Sequence, residues 1–149
     1  MNIEVTTDPP KKDSDVLSQG IMDYNFSKIP DLEPNEDEKK FFVFARDDAH
    51  KIIGGIRATC FWNTLHIELL WLSEECRGKG IGKELIRSSE IFAVEQKCEK
   101  ALVETTSWQA KPFYEKNGYE HIATLHGRPK GHASHYLTKT LAAGLCTEA

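Results

Sequence analysis

The stretch Arg77-Gly78-Lys79-Gly80-Ile81-Gly82 lies where a strand pattern gives way to a helix pattern. Residues 65–72 are rich in apolar residues, as in a strand, and residues 81–97 repeat apolar residues along one helical face. Glycines at such a junction allow consecutive backbone N–H groups to turn toward one anionic group at the helix N-terminus. The segment therefore predicts a phosphate-binding loop.

Two familiar phosphate-binding motifs are excluded by their spacing. A Walker loop ends in Gly-Lys-Ser/Thr, whereas here Gly82 and Lys83 are followed by Glu84. A dinucleotide fingerprint needs a third glycine or alanine at a fixed offset, which neither Gly78-x-Gly80 nor Gly80-x-Gly82 supplies. The pattern that remains is R-x-x-G-x-G.

The residues on either side of the loop predict an α/β domain with a mixed sheet, because strand patterns alternate with helix patterns. Runs of apolar, β-branched and aromatic residues indicate the strands, and amphipathic repeats indicate the helices. In chain order we expect a short helix from about Ser14, strands at 41–45, 52–62 and 65–72, a helix at 81–97, a strand at 101–105, a helix at 109–116, and strands at 120–125 and 135–141.

Composition and charge fit one globular domain. The chain has 149 residues, of which 40% are hydrophobic and 28% charged, and its mean hydropathy is −0.47. That length suits a single core, so we expect one domain over residues 1–149, with residues 1–13 flexible. The formal net charge of −4 argues against a nucleic-acid partner.

Signals for targeting and for metal binding are missing from the sequence. No apolar run approaches the roughly 20 residues of a membrane span, and the polar, acidic N-terminal stretch is unlike a signal peptide. The four cysteines form no C-x-x-C pair, and the histidines lack the helical i, i+4 spacing of paired ligands. We therefore expect a cytoplasmic protein that binds neither a metal ion nor a membrane.

A second motif follows at residues 110–119, which are Ala-Lys-Pro-Phe-Tyr-Glu-Lys-Asn-Gly-Tyr. Together with the R-x-x-G-x-G loop, this segment resembles the GNAT superfamily of N-acetyltransferases, whose members hold the pyrophosphate of acetyl-CoA on such a loop. The resemblance spans residues 41–141. It implies an α+β fold with a mostly antiparallel twisted sheet flanked by helices. The sheet would be splayed between the strand ending at Leu72 and the one ending at Thr105, where acetyl-CoA binds.

The resemblance also assigns roles to individual residues. Leu70, Trp71 and Leu72 would pair through their backbone with the pantetheine arm of acetyl-CoA, and residues 77–82 would hold the pyrophosphate. Tyr114 falls at the family's general-acid position, where a phenol can donate a proton to the departing CoA thiolate. The alternative for Tyr114 is a packed core aromatic with a satisfied hydroxyl.

Glu68 is a candidate base that removes a proton from the acceptor amine, or else an ordinary solvent-facing strand residue. Strict alternation would place Glu68 on the same side of its strand as His66, Leu70 and Leu72. A bulge near the end of the strand would change that orientation. The sequence therefore allows the carboxylate to lie on either side of the sheet.

One position departs from the family pattern. The family often has an asparagine seven residues before the tyrosine, and that position here is Ser107. We expect Gln109 to supply the replacement contact to the cofactor, because its amide is the closer chemical match. The loop at residues 129–132 either recognises the substrate or only forms a turn.

The sequence thus predicts an N-acetyltransferase that transfers an acetyl group from acetyl-CoA to a primary amine by direct attack in a ternary complex. The expected acceptor is a small-molecule or peptide amine, and homodimer formation stays open. The alternative is a non-catalytic acyl-CoA-binding or regulatory module that keeps the loop and has lost turnover.

Overall fold

The computed structural model describes residues 1–141 and divides the chain into two compact units, the first at Met1–Asp37 and the second beginning at Glu38. The first unit contains helix α1 (Lys11–Lys28) and a 3₁₀ turn at Asn35–Asp37. The helix begins slightly earlier than the predicted start at Ser14. Among residues 1–141, no helix combines the length and the apolar character needed to cross a bilayer.

Within residues 38–141, the second unit contains a six-stranded sheet and two α-helices. These elements are β1 (Lys39–Arg46), β2 (Ile52–Phe61), β3 (Thr64–Leu72), α2 (Ile81–Glu95), β4 (Lys100–Thr106), α3 (Lys111–Lys116), β5 (Glu120–His126) and β6 (Ala133–Thr140). The strand order is β1-β2-β3-β4-β6-β5, and neighbouring strands are antiparallel except β3 and β4, which run parallel. The predicted mixed, mostly antiparallel sheet is therefore confirmed.

The hydrophobic core lies between the sheet and α2. Parallel strands cannot be joined by a tight turn, so α2 forms the crossover from β3 to β4. Its Leu85, Ile86 and Ala93 are buried in the same cluster as sheet residues such as Ile67 and Leu137. Removal of this apolar surface from water is the main stabilising contribution. These three residues belong to the apolar face that the helical repeat predicts, whereas Glu90, which the same repeat places on the polar face, is also buried.

A polar network is formed around a buried carboxylate at the edge of this core. Glu90 of α2 is 3% exposed, and it accepts hydrogen bonds from the Tyr119 hydroxyl and from Lys139 Nζ, both at 2.9 Å. Lys139 also donates to the Asn117 carbonyl. Burial, and then the adjacent Glu90 carboxylate, raises the pKa of Tyr119 well above its ordinary value. The network ties α2 to β6 and to the segment that follows α3.

A β-bulge interrupts β3 at Glu68. The register of β2 against β3 shifts next to Arg57, which leaves Glu68 without an opposite residue. Before the bulge the odd-numbered residues of β3 are buried, and after it the even-numbered ones pack against the core. Of the two arrangements that the sequence left open, strict alternation and a bulge, the structure has the bulge. His66 therefore does not share a side with Leu70 and Leu72, because one extra residue reverses the alternation.

The two parallel strands separate toward their C-terminal ends. Residues 64–67 of β3 pair with residues 100–103 of β4, and no pairing continues beyond them. β3 nevertheless extends to Leu72 and β4 to Thr106. The predicted splay is present, and it leaves backbone N–H and C=O groups of both strands without a ladder partner on the facing side.

Candidate active site

A cleft of about 590 Å³ opens between the separated ends of β3 and β4. Its walls come from β3, the loop after it, β4 and the segment that leads into α3. The structure thus brings both sequence motifs to one cleft. Among the residues predicted for the site, those that line the cleft are Glu68, Leu70, Trp71, Leu72, Arg77, Gly78, Gln109 and Tyr114, whereas Lys79, Gly80, Ile81 and Gly82 carry the loop onward into α2.

The glycine loop presents unpaired backbone donors at the start of α2. Gly78 and Gly80 have φ angles of +77° and +80°, and no atom lies within 4 Å of where a Cβ would stand. The first helical bond runs from the Glu84 N–H to the Gly80 carbonyl, so the N–H groups of residues 81–83 lack helical acceptors. With the positive end of the helix dipole and the Arg77 guanidinium, this loop suits a phosphate group.

Gly82 allows α2 and α3 to approach each other closely. A Cβ at this position would stand 3.1 Å from two ring carbons of Phe113 and 3.3 Å from Leu72 Cδ1. Its requirement for glycine therefore comes from packing and not from a positive φ. The residue after Phe113 is Tyr114, so this contact joins the loop to the helix that carries the predicted acid.

Tyr114 combines a packed ring with an unpaired hydroxyl. The residue is 4% exposed, and its ring makes edge-on contacts with Phe113 and Tyr119 at centroid distances of 5.3 and 5.6 Å. Within residues 1–141 the Tyr114 hydroxyl has no hydrogen-bond partner. The unpaired side-chain oxygens that are fully shielded from solvent in this part of the chain are those of Ser73 and Thr106, and the Tyr114 hydroxyl is not one of them. The Tyr114 hydroxyl thus retains access to the cleft. Burial raises the pKa of Tyr114 from 10.0 to about 12.

Glu68 contributes a carboxylate to the cleft wall at the bulge. Its Oε2 accepts a 2.7 Å hydrogen bond from Arg57 Nε, and its side chain is 24% exposed. The ion pair holds one oxygen of the carboxylate while the residue lines the cleft. An anchored carboxylate that solvent can reach is chemically able to accept a proton.

The side chain of Gln109 is engaged by its own turn. Its Oε1 accepts hydrogen bonds from the Thr106 N–H at 3.1 Å and from the Thr105 hydroxyl at 3.4 Å. Thr105 Oγ1 in turn accepts the Ala110 N–H at 3.1 Å. These bonds close a turn ahead of α3, which begins at Lys111 and not at residue 109 as predicted. A contact from Gln109 to a ligand would therefore use its amide nitrogen.

The loop between β5 and β6 is anchored to residues beside the cleft. Ser107 Oγ donates to the Ala133 carbonyl at 3.1 Å and accepts its N–H at 2.8 Å. The ring of Trp108, a cleft residue, meets His132 edge-on at 4.9 Å. Ser107 thus serves the fold at the position where the family often has its asparagine, and the loop reaches the edge of the site.

The sequence did not predict a polar cluster around Glu104 of β4. Glu104 lines the cleft, and its Oε1 accepts hydrogen bonds from Arg128 Nη1 at 2.6 Å and from the Tyr136 hydroxyl at 2.8 Å. Glu104 stands opposite Tyr136 in the register of β4 against β6. Strand pairing brings these residues together, and no local sequence pattern marks such a contact.

The chemistry of the cleft fits acetyl-CoA. Unpaired strand backbone suits the amide groups of the pantetheine arm, and the glycine loop at the start of α2 suits the pyrophosphate. Tyr114 offers a hydroxyl to the same cleft. Within residues 1–141, no group of three or more His, Cys, Asp or Glu side chains could hold a metal ion.

Comparison with known proteins gives the family. Residues 37–121 match the family model described as the acetyltransferase (GNAT) domain. Over 102 residues the chain is 35% identical to the blasticidin-S acetyltransferase of Streptomyces morookaense, and the match covers 68% of this chain and 75% of that relative. The chain belongs to the GNAT acetyltransferase family.

Solved structures agree with this assignment. An acetyltransferase from Bacillus cereus ATCC 14579 superposes with a TM-score of 0.78 at 28% identity, covering 93% of this chain and 98% of that chain. A candidate streptothricin acetyltransferase from Bacillus anthracis str. Ames, solved with acetyl-CoA, gives 0.63 at 25% identity, covering 74% of this chain and 65% of that one. The predicted family, fold and co-substrate are confirmed: the protein is an acetyl-CoA-dependent acetyltransferase.

Proposed function

We propose that this enzyme acetylates a primary amine of a small molecule by direct attack in a ternary complex. The observation that carries the proposal is Tyr114, whose hydroxyl lacks a partner within residues 1–141 and whose side chain lines the same cleft as Arg77 and Gly78. A small-molecule acceptor is supported by relatives named for blasticidin S and for streptothricin. The reaction belongs in the cytoplasm, where acetyl-CoA is available.

Different parts of the cleft would bind different parts of acetyl-CoA. The backbone of residues 70–72 would hold the pantetheine arm, the loop of residues 77–82 would hold the pyrophosphate, and the Gln109 amide nitrogen would add a contact. Bound there, acetyl-CoA supplies a thioester carbonyl that the acceptor amine attacks, with the CoA thiolate as leaving group. The acceptor would enter from the other side of the splayed sheet.

Tyr114 is the proposed general acid. A phenol near the departing sulfur can donate a proton or a hydrogen bond as negative charge develops there. Because burial raises the pKa of Tyr114 to about 12, the hydroxyl keeps its proton throughout the neutral range. The unpaired hydroxyl also argues against a non-catalytic module, since a purely structural tyrosine in such a buried place would normally satisfy it.

Glu68 is the proposed base. An aliphatic amine with a pKa near 10.4 is almost wholly protonated at neutral pH, so the attacking amine must first lose a proton. The Glu68 carboxylate lines the cleft beside the point where the strands separate, and Arg57 holds one of its oxygens. The proton would pass to this carboxylate directly or through water.

A panel of amines incubated with acetyl-CoA tests the proposed function, with released thiol as the readout. The panel contains blasticidin S, agmatine, N-acetylputrescine and a lysine-containing peptide. We expect thiol release with at least one of the small amines and much less with the peptide. Absence of release with every amine would contradict the proposed function, and release with the peptide alone would contradict the small-molecule acceptor.

The variant Glu68→Gln tests the base. We expect the rate of the variant to be depressed mainly at neutral pH. The rate should recover in part as the pH rises toward the pKa of the acceptor amine, because the amine then loses its proton without a base. The measurement is a pH–rate profile of kcat/KM for the acceptor. Glu120→Gln, an exposed position on β5, is the matched control. A Glu68→Gln profile parallel to that of the parent enzyme would show that bulk water suffices.

A further inference from the structure

Strands β3 and β4 separate at a pair of glutamates, one on each strand. Ile67 and Val103 form the last pair of the β3–β4 ladder, so Glu68 and Glu104 are the first residues beyond it on their strands. Both glutamates line the cleft. Like charges placed opposite each other disfavour strand pairing, which is consistent with separation at this position.

The cationic partners of these carboxylates stand outside the cleft wall. Arg57 pairs with Glu68, and Arg128 pairs with Glu104, yet neither arginine is among the residues that line the cleft. The arginine side chains are also well exposed, at 45% and 58%. Two carboxylates therefore line the cleft at the point where the strands separate. The cationic lining residue, Arg77, lies on the glycine loop, where the pyrophosphate is expected.

Glu104 is held with one oxygen left for a ligand. Both of its donors, Arg128 Nη1 and the Tyr136 hydroxyl, bond to Oε1, and they contact each other at 3.1 Å. No residue within 1–141 donates a hydrogen bond to Oε2. A carboxylate fixed by two donors on a single oxygen keeps its orientation, and its remaining oxygen can accept a hydrogen bond from a cation.

An independent feature of the cleft also points to a ligand at this place. Tyr114, only 4% exposed, lines the cleft with a hydroxyl that has no partner in the described part of the chain. A hydroxyl that has access to the cleft, on a residue this buried, takes its hydrogen bond from a ligand or from water in the cleft. The carboxylate pair and this hydroxyl thus belong to one binding space.

We propose that Glu104, held by Arg128 and Tyr136, is a specificity-determining residue that binds a second positive charge of the acceptor. The inference rests on the proposed function and extends it. The acceptor is then a small molecule with at least two cationic groups: an amine that Glu68 deprotonates and a guanidinium or ammonium group that pairs with Glu104. Charge-assisted pairing with such a group gives the enzyme its preference over amines with a single charge.

The variant Glu104→Gln tests this subsite, since it keeps an oxygen for Arg128 and Tyr136 and removes the charge. Agmatine carries an amine and a guanidinium, whereas N-acetylputrescine carries a single amine on a chain of similar length. We expect the parent enzyme to favour agmatine by at least about 10-fold in kcat/KM. In Glu104→Gln we expect most or all of that advantage to be lost through a lower kcat/KM for agmatine, whereas the losses with N-acetylputrescine and in the KM for acetyl-CoA are much smaller.

If agmatine is not acetylated, it is measured as an inhibitor of whichever panel amine is. Inhibition that weakens at least about 10-fold in Glu104→Gln supports the subsite, and absent or unchanged inhibition overturns it. Equal losses with agmatine and N-acetylputrescine would show that Glu104 only anchors the β5–β6 loop.

Thermal melts confirm folding, and Glu120→Gln is the charge-matched control. No thiol release with any amine overturns the proposed function as well, whereas turnover without charge preference overturns this inference alone.

Discussion

We expect Tyr114→Phe to lower kcat by about 10²-fold and to leave the affinity for acetyl-CoA nearly unchanged, because the hydroxyl acts only when charge develops on the sulfur. Loss of stability is not expected, since the hydroxyl has no hydrogen-bond partner within residues 1–141 to leave unsatisfied. The measurements are steady-state kinetics with the acceptor found in the amine panel and the thermal shift produced by acetyl-CoA.

The neighbouring tyrosine provides a matched control. The Tyr119 hydroxyl donates to the buried Glu90 carboxylate at 2.9 Å, so Tyr119→Phe should cost about 1–3 kcal/mol of stability and leave kcat of the folded enzyme within a few-fold. The two variants therefore separate chemistry from packing. Unchanged turnover in Tyr114→Phe, with the chemical step shown to limit the rate, would assign Tyr114 to the core alone.

The pKa of Tyr114 adds a dependence on pH. A value of about 12 means that the proton-donating form persists well above the ordinary tyrosine value of 10.0. Deprotonation of this phenol therefore cannot account for a fall in kcat below about pH 10. A fall at lower pH that disappears in Tyr114→Phe would contradict this assignment.

We expect Gly80→Asp to abolish binding of acetyl-CoA. The substitution places a carboxylate at the N-terminus of α2, where the pyrophosphate is expected, so the charges repel each other. A ligand at 100 times its Kd stabilises the parent enzyme by about 2.7 kcal/mol, and this gain should vanish in the variant. The check is the melting temperature with and without millimolar acetyl-CoA.

Gly127→Asp is the control for backbone strain. Gly127 has a φ of +77° against +80° at Gly80, and neither position has an atom within 4 Å of a Cβ site. The two substitutions therefore carry a similar conformational cost, but only Gly80→Asp places its carboxylate in the proposed pyrophosphate loop. A retained shift in Gly80→Asp, or an equal loss in Gly127→Asp, would place the pyrophosphate elsewhere.

Local patterns were enough to predict most of the fold. The apolar repeat of α2, the strand that ends at Leu72 and the glycine loop between them are each encoded within a few residues, so their order followed from the sequence. The splay of the sheet was implied by the resemblance to the GNAT family, and the structure shows it. Tyr114 and Arg77 came from motifs of fixed spacing, and the structure brings both to one cleft.

Features that depend on pairing between distant residues could not be predicted in this way. The bulge at Glu68 consists of one extra residue relative to β2, and nothing within β3 alone reveals it. The Glu104 cluster joins residues 24 and 32 positions apart, which meet only through the register of the sheet. The late start of α3 goes with hydrogen bonds that the Gln109 side chain accepts from Thr106 and Thr105, which compete with the helical pattern.

The close contact at Gly82 couples two parts of the site that mutagenesis usually treats as separate. Any side chain there must displace Phe113, which precedes Tyr114 on α3. Substitutions at Gly82 and Tyr114 should therefore be non-additive in a double-mutant cycle, because both act on the position of the same hydroxyl. A loss of activity in a Gly82 variant would then reflect epistasis between the glycine loop and Tyr114, and not a defect in phosphate binding alone.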